Sequence, residues 1–182
     1  QFWEVTLCQW QKRLDPAYDT YDTVPPPGDG GTGTYNYVNR LSFSNVGAEM
    51  AAFANSGKVK RPLVTVAGTM DALLPIDHHA RAYARKVAAA SKDKHDDEDD
   101  DRDHKRSAYR LYEVQNGNHI ETYQDGFPQL ELIMPHAQKA FDLLVQHVED
   151  KVALPPSQCI PRGGAIAAAP AQPGHCTQLF VP

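Results

Sequence analysis

The sequence has no long hydrophobic run and no excess of positive charge. None of its apolar stretches approaches the roughly 18 to 20 residues that a membrane-spanning helix requires, so we expect no membrane span. Lysine and arginine together number 18, against 23 aspartate and glutamate residues, which gives a formal net charge of −5. Because nucleic-acid-binding proteins use surplus cations to neutralise phosphates, we also expect no nucleic acid partner.

The beginning of the sequence has neither an initiating methionine nor a targeting segment. Residue 1 is Gln1, and no charged n-region followed by an apolar h-region comes after it. We therefore predict no signal peptide within these residues, and we expect either a mature product or part of a longer protein.

Cysteine is scarce, with only three residues in the sequence: Cys8, Cys159 and Cys176. Cys159 and Cys176 lie in a stretch rich in proline, glycine and alanine that has few apolar side chains to hold it. We predict a disulfide between them, which would stabilise the fold by about 3 kcal/mol and would indicate a secreted or periplasmic protein. Two unrelated thiols in a flexible tail are the alternative. Cys8 would then be buried or paired with a segment outside this sequence.

Composition divides the chain into three parts. Residues 1–57 form a cap or lead-in segment, in which residues 45–54 are predicted to be a helix. Residues 58–150 form a core, which is interrupted at residues 91–107 by an acidic insert without apolar side chains; we interpret the insert as a solvated loop, since the glycine and spacing of a calcium loop are missing. Residues 151–182 are predicted to be a Pro/Ala-rich tail of low order with the disulfide.

The core repeats the order strand, loop, helix. Residues 63–67 and 108–114 are short β-rich runs, and each is followed by a helical pattern. The first helix is expected after Pro75, with Ile76, Ala80, Tyr83, Ala84 and Val87 at helical spacing. Pro135 is expected to open the second, with an apolar face made of Ala137, Ala140, Phe141, Leu144 and Val148. This order predicts an α/β fold with a mainly parallel sheet flanked by helices.

Two side chains suited to acid–base chemistry follow these strands. Asp71 and His119 each come just past a predicted strand end, and the carboxyl ends of neighbouring parallel strands meet at one edge of a sheet. An acid placed there orients an imidazole, which then serves as a general base. The alternatives are a helix-capping aspartate and an exposed turn histidine. His78 and His79 are adjacent and point about 100° apart on a helix, so we expect neither a metal nor a cofactor.

Four segments carry a resemblance to known families. AGTMDALLPIDHHARAY (67–83) and YEVQNGNHIETY (112–123) resemble the acid and histidine segments of the α/β-hydrolase superfamily. LPPSQ (154–158), followed by PRGG at 161–164, resembles the C-terminus of the 3-hydroxybutyrate-oligomer hydrolases, as does the early segment at 9–21.

This resemblance implies a serine ester hydrolase for 3-hydroxybutyrate oligomers or a related polyester, with Asp71 and His119 as the acid and base of a Ser-His-Asp triad. The serine should lie upstream in a G-x-S-x-G turn, but Ser42, Ser44 and Ser56 lack the flanking glycines. We therefore expect this chain to be the C-terminal part of an α/β-hydrolase whose missing N-terminal part carries the nucleophile. Polyhydroxyalkanoate depolymerases, tannases and feruloyl-type carboxylesterases are neighbouring possibilities. A non-catalytic binding module that retains the half-fold is another.

Overall fold

The computed structural model describes residues 46–92, 109–119, 121 and 124–182. The chain divides into two units, Gln1–Asn55 and Ser56–Pro182. The first unit contains helix α1 (Val46–Phe53), which confirms the helix predicted over residues 45–54. The other predictions for residues 1–45, those for residues 93–107 of the acidic insert, and residue 108 of the second predicted strand lie outside the described residues.

The second unit is built on a three-stranded parallel sheet in the order β1-β2-β3. Strand β1 (Leu63–Gly68) pairs along its length with β2 (Tyr109–Val114), so that both strands end at the same level. These two strands confirm the runs predicted from the sequence. The short strand β3 (Gln158–Ile160) pairs with the end of β2.

A helix packs on each face of this sheet. Successive side chains of β2 point to opposite faces, so this strand contacts both helices. Leu111 packs with Ile76 and Ala80 at the start of helix α2 (Ala80–Lys92). Its neighbours in the strand, Tyr112 and Val114, pack on the opposite face with Ala140 of helix α3 (Met134–Glu149). Strand β2, at the centre of the sheet, therefore packs between two helices, as expected of parallel strands.

Both helices differ in detail from the prediction. Helix α2 begins at Ala80, and Ile76 lies buried in the turn before it, where its carbonyl accepts from the Arg81 N–H at 2.9 Å. In α3, Phe141 is 65% exposed and Val148 is 49% exposed, so their predicted place on the packed face is wrong. The face of α3 that packs on the sheet contains His136 and Ala140 instead. The small side chain of Ala140 allows the helix to approach Tyr112 and Val114 closely.

The low order predicted for the tail is also wrong for its described structure. The three residues of β3 are buried, and the disulfide Cys159–Cys176 is present with a Cα–Cα distance of 4.6 Å. This bridge confirms the predicted pairing. Sheet pairing and the disulfide together hold a segment whose composition provides few apolar contacts. Within the described residues, no helix is both long and apolar enough to cross a membrane.

Candidate active site

The loops after β1 and β2 meet backbone to backbone. The Thr69 N–H donates to the Val114 carbonyl at 3.0 Å, and the Met70 N–H donates to the Gly117 carbonyl at 2.8 Å. A Cβ atom built on Gly68 would collide with the Gly117 carbonyl, so only glycine fits this approach. The two loops are therefore held at a fixed separation before either site residue is reached.

Asp71 is oriented by the loop that it begins. Its Oδ1 accepts the N–H groups of Leu73 at 2.9 Å and Leu74 at 2.8 Å. This local turn is the capping role considered from the sequence, and it fixes the carboxylate while leaving Oδ2 for a different partner. The side chain is only 12% exposed.

His119 is that partner. Its Nδ1 lies 2.9 Å from Asp71 Oδ2, and its side chain is 38% exposed. The contact expected from the strand–loop–helix repeat is therefore present. With the proton on Nδ1, the imidazole donates to the carboxylate and has Nε2 as its proton acceptor. Such an arrangement can take a proton from a nucleophile and return it to a leaving group.

Other groups hold the segment around His119, and the sequence analysis missed them. Asn116 is fully buried, and its backbone has φ 61° in the left-handed region, where asparagine is favoured among non-glycine residues. Its side-chain amide donates to the Gln129 carbonyl at 2.8 Å. Downstream, Glu121 Oε1 accepts the Met134 N–H at 2.7 Å, at the positive end of the α3 dipole. Each of these two contacts joins residues 13 positions apart, so no local sequence pattern predicts it.

Exposed apolar side chains lie in the loop around Asp71. Met70, Leu73 and Leu74 are 38%, 41% and 40% exposed respectively, and all three lie within three residues of Asp71. Solvent-facing apolar side chains beside polar reactive groups are typical of sites that take a partly apolar ligand.

The described serines and the paired histidines lie elsewhere. Ser56 Oγ accepts from the Lys58 N–H, Ser91 Oγ donates to the Val87 carbonyl, and Ser157 Oγ accepts from the Leu111 N–H. His78 and His79 are exposed in the turn before α2. Nowhere in the described part of the chain do three His, Cys, Asp or Glu side chains come together as a metal site.

A charged cluster lies at the end of β2 on the α2 face of the sheet. Glu113 is fully buried and receives Arg81 through Nε at 2.8 Å and Nη2 at 2.6 Å. His175 Nδ1 at 2.6 Å and the Cys176 N–H at 2.8 Å complete its contacts. The hydrogen bond to Glu113 raises the pKa of Arg81 against the opposing effect of burial, so the guanidinium stays charged. The cluster joins the disulfide to the sheet and α2.

The family model and the relatives that match this chain agree on one family. The family model described as 3HB-oligomer hydrolase (3HBOH) matches residues 36–177. The D-(-)-3-hydroxybutyrate oligomer hydrolase of Burkholderia thailandensis is 32% identical over 133 residues, which are 69% of this chain and 17% of that protein. The protein of the same name from Burkholderia ambifaria is 32% identical over 127 residues, or 66% and 16% of the two chains. This chain thus spans about a sixth of the length of these relatives. No solved structure matches it.

Proposed function

The chain belongs to the 3HB-oligomer hydrolase family, and on that premise we propose that it is the part of a serine ester hydrolase that supplies the acid and the base of the catalytic triad. The observation that carries the proposal is the 2.9 Å contact between Asp71 Oδ2 and His119 Nδ1, at the ends of adjacent parallel strands. The sheet covered on both faces is consistent with the C-terminal part of an α/β-hydrolase core, which we include in the proposal.

The nucleophile in this proposal is a serine outside these 182 residues. The sequence contains no G-x-S-x-G turn, and the relatives are about six times longer than the matched segment. His119 Nε2 takes the serine hydroxyl proton as the oxygen attacks the ester carbonyl. The alkoxide leaving group takes that proton from the imidazolium as the ester bond breaks and the acyl-enzyme forms. Water then attacks the acyl-enzyme with His119 again as base, which releases the acid and restores the serine.

Asp71 keeps the imidazole in the productive tautomer and stabilises the imidazolium while the proton is on it. The two backbone donors on its Oδ1 prevent the carboxylate from turning away, because rotation would break both bonds. The pair is thus oriented before substrate arrives, which lowers the free-energy cost of reaching the transition state.

The substrate class in this proposal is an oligomeric ester of 3-hydroxybutyrate, after the printed name of the relatives. Each such unit carries a methyl group beside an ester. The exposed apolar side chains of Met70, Leu73 and Leu74, in the loop that carries Asp71, offer surface to the methyl groups. The disulfide Cys159–Cys176 supports an oxidising compartment, secreted or periplasmic, as the place of action.

The test is active-site labelling of the complete protein that contains these residues. A fluorophosphonate should modify one serine, and the labelled peptide should map outside this sequence. Before labelling, the same preparation should release 3-hydroxybutyrate from its dimer or trimer faster than it cleaves a simple ester such as p-nitrophenyl butyrate. A label within these 182 residues would refute the proposed position of the nucleophile. Cleavage of the simple ester without cleavage of the oligomers would refute the substrate class.

A further inference from the structure

The last residues of the chain return to the site. The segment 179–181, which we call the C-terminal clasp, lies against the loop that carries Asp71 and the turn that precedes His119. We propose that this clasp, acting through Thr69 and Asn116, is a positioning device that sets the geometry of the Asp71–His119 pair. Its role in turnover rests on the proposed function.

Thr69 joins the two loops to the clasp. Its hydroxyl accepts the Asn116 N–H at 2.9 Å and donates to the Leu179 carbonyl. Thr69 is 5% exposed, so these bonds have little competition from water. Because Thr69 comes two residues before Asp71 and Asn116 three residues before His119, this hydroxyl links the segments before both site residues to the clasp, beside a direct bond from the Asn116 N–H to the Leu179 carbonyl at 3.4 Å.

Asn116 binds the other end of the clasp, at Val181. Its Oδ1 accepts the Val181 N–H at 2.8 Å, and its Nδ2 donates to the Val181 carbonyl at 2.5 Å. The side-chain amide thus binds the Val181 backbone as a neighbouring strand would. Three of the four hydrogen-bonding positions of the amide are used, counting the Gln129 carbonyl, so the turn before His119 has one well-defined position.

Independent anchors keep the clasp in place. Cys176 is bonded to β3 through the disulfide and donates its N–H to buried Glu113. Gln115 Nε2 then donates to the Gln178 carbonyl at 2.9 Å, just before the clasp begins. The clasp can therefore be removed without touching the groups that attach the tail to the sheet.

A positioning role, unlike a purely structural one, predicts loss of turnover in a protein that stays folded. In Thr69→Val the side chain keeps its shape but loses the hydroxyl that bridges the two loops, whereas Thr69→Ser retains it. For the complete enzyme we expect kcat of Thr69→Val to fall about 10-fold to 100-fold, with a much smaller change in KM. Thr69→Ser should recover most of the lost kcat.

A second variant covers the case in which Thr69→Val fails to fold. A chain that ends after Gln178 lacks the clasp but retains the disulfide and the Glu113 contacts, and we expect the same loss of kcat with little change in Tm. Gln178→Ala is the control within the tail, since its exposed side chain is changed while its backbone carbonyl remains. Wild-type kcat in a folded Thr69→Val or in the truncated chain would overturn the inference.

A crystal structure separates this inference from the proposed function. If the wild-type protein cleaves neither oligomers nor simple esters, the proposed function fails, and the distance from Asp71 Oδ2 to His119 Nδ1 decides the inference. A distance in Thr69→Val longer than a hydrogen bond, or a second His119 rotamer, would support the clasp. An unchanged 2.9 Å contact would overturn it.

Discussion

At the scale of single residues, Asp71 uses its two carboxylate oxygens for different purposes. Oδ1 holds the loop, and Oδ2 contacts His119. Asp71→Asn preserves an oxygen for the Leu73 and Leu74 N–H groups but turns an amide toward the imidazole, which favours the wrong tautomer. We expect kcat in the complete enzyme to fall about 10⁴-fold, with the free energy of unfolding changed by less than about 1 kcal/mol.

Asp71→Ala is the companion variant, because it removes both oxygens. It should lose as much activity and also about 0.5–2 kcal/mol of stability, the usual cost of losing such a cap. Kinetics and urea unfolding on the two variants measure the separate contributions. Equal unfolding free energies for both variants would show that Oδ1 does not hold the loop.

Glu113 gives a stability prediction that is independent of catalysis. Arg81→Met leaves the fully buried Glu113 carboxylate without its bidentate partner. The Arg81 side chain that it replaces is only 12% exposed. We expect a loss of about 3–5 kcal/mol in the free energy of unfolding. Arg85→Met is the matched control one turn along α2, where the exposed guanidinium bonds the Asp77 carbonyl; it should cost less than about 1 kcal/mol. Urea unfolding of the two variants provides the comparison.

Tyr112 predicts a change of stability at high pH. Burial raises its pKa from 10.0 to about 12, with a smaller lowering from nearby Arg110. The unfolded chain releases this proton near pH 10 while the folded protein retains it, so the contribution is fully present below pH 10 and is lost as pH rises to 12. We expect the free energy of unfolding to fall by about 2 kcal/mol across this range.

Tyr112→Phe isolates this effect. The variant lacks the hydroxyl that donates to the Pro155 carbonyl at 3.0 Å, so it should be about 1 kcal/mol less stable at neutral pH. Its unfolding free energy should decline less steeply between pH 10 and 12 than that of the wild type. Ultraviolet titration should also show one fewer late-ionising tyrosine; an identical titration curve would contradict the assignment.

The sequence sufficed to predict the contact between Asp71 and His119 because each follows a predicted strand, and parallel strands bring their carboxyl ends together. It did not suffice for Thr69 and Asn116. Their bonds to Leu179 and Val181 connect residues 110 and 65 positions apart, and the return of the tail to the sheet has no local pattern.

At the scale of elements, β3 shows how a disulfide supports a strand with little apolar sequence. Its middle residue, Cys159, is bridged to Cys176, which closes a loop with a sequence separation of 17. Replacing both cysteines by serine should cost about 3 kcal/mol, measured by urea unfolding. The Glu113 contacts to the Cys176 backbone remain in that variant, so we expect a less stable fold rather than an unfolded one. Unchanged stability would contradict this account.

Strand β1 was predictable because it is an apolar run with several β-branched residues, and β2 because its aromatic residues and valine favour a strand. Strand β3 was not, since its three residues, Gln158–Ile160, are polar, sulfur-bearing and apolar in turn. The packed face of α3 was mistaken for a similar reason. Helical spacing allows Phe141 or His136 to point inward, and only the position of the sheet selects His136.

At the scale of the whole molecule, these residues supply two of the three groups that the proposed reaction needs. The fold places Asp71 and His119 in contact at one sheet edge, with exposed apolar side chains in the loop that carries Asp71. The proposed reaction therefore requires a longer protein, which brings a serine to His119 Nε2.

The most direct measurement is release of 3-hydroxybutyrate from its trimer by the complete protein and by its His119→Ala variant. We expect the wild type to hydrolyse the trimer and the variant, at matched folded concentration, to lose about 10⁴-fold or more in kcat/KM, because in the proposed mechanism His119 takes the proton from the nucleophile. Near-wild-type turnover by a folded His119→Ala protein would contradict the assignment of His119 as the catalytic base.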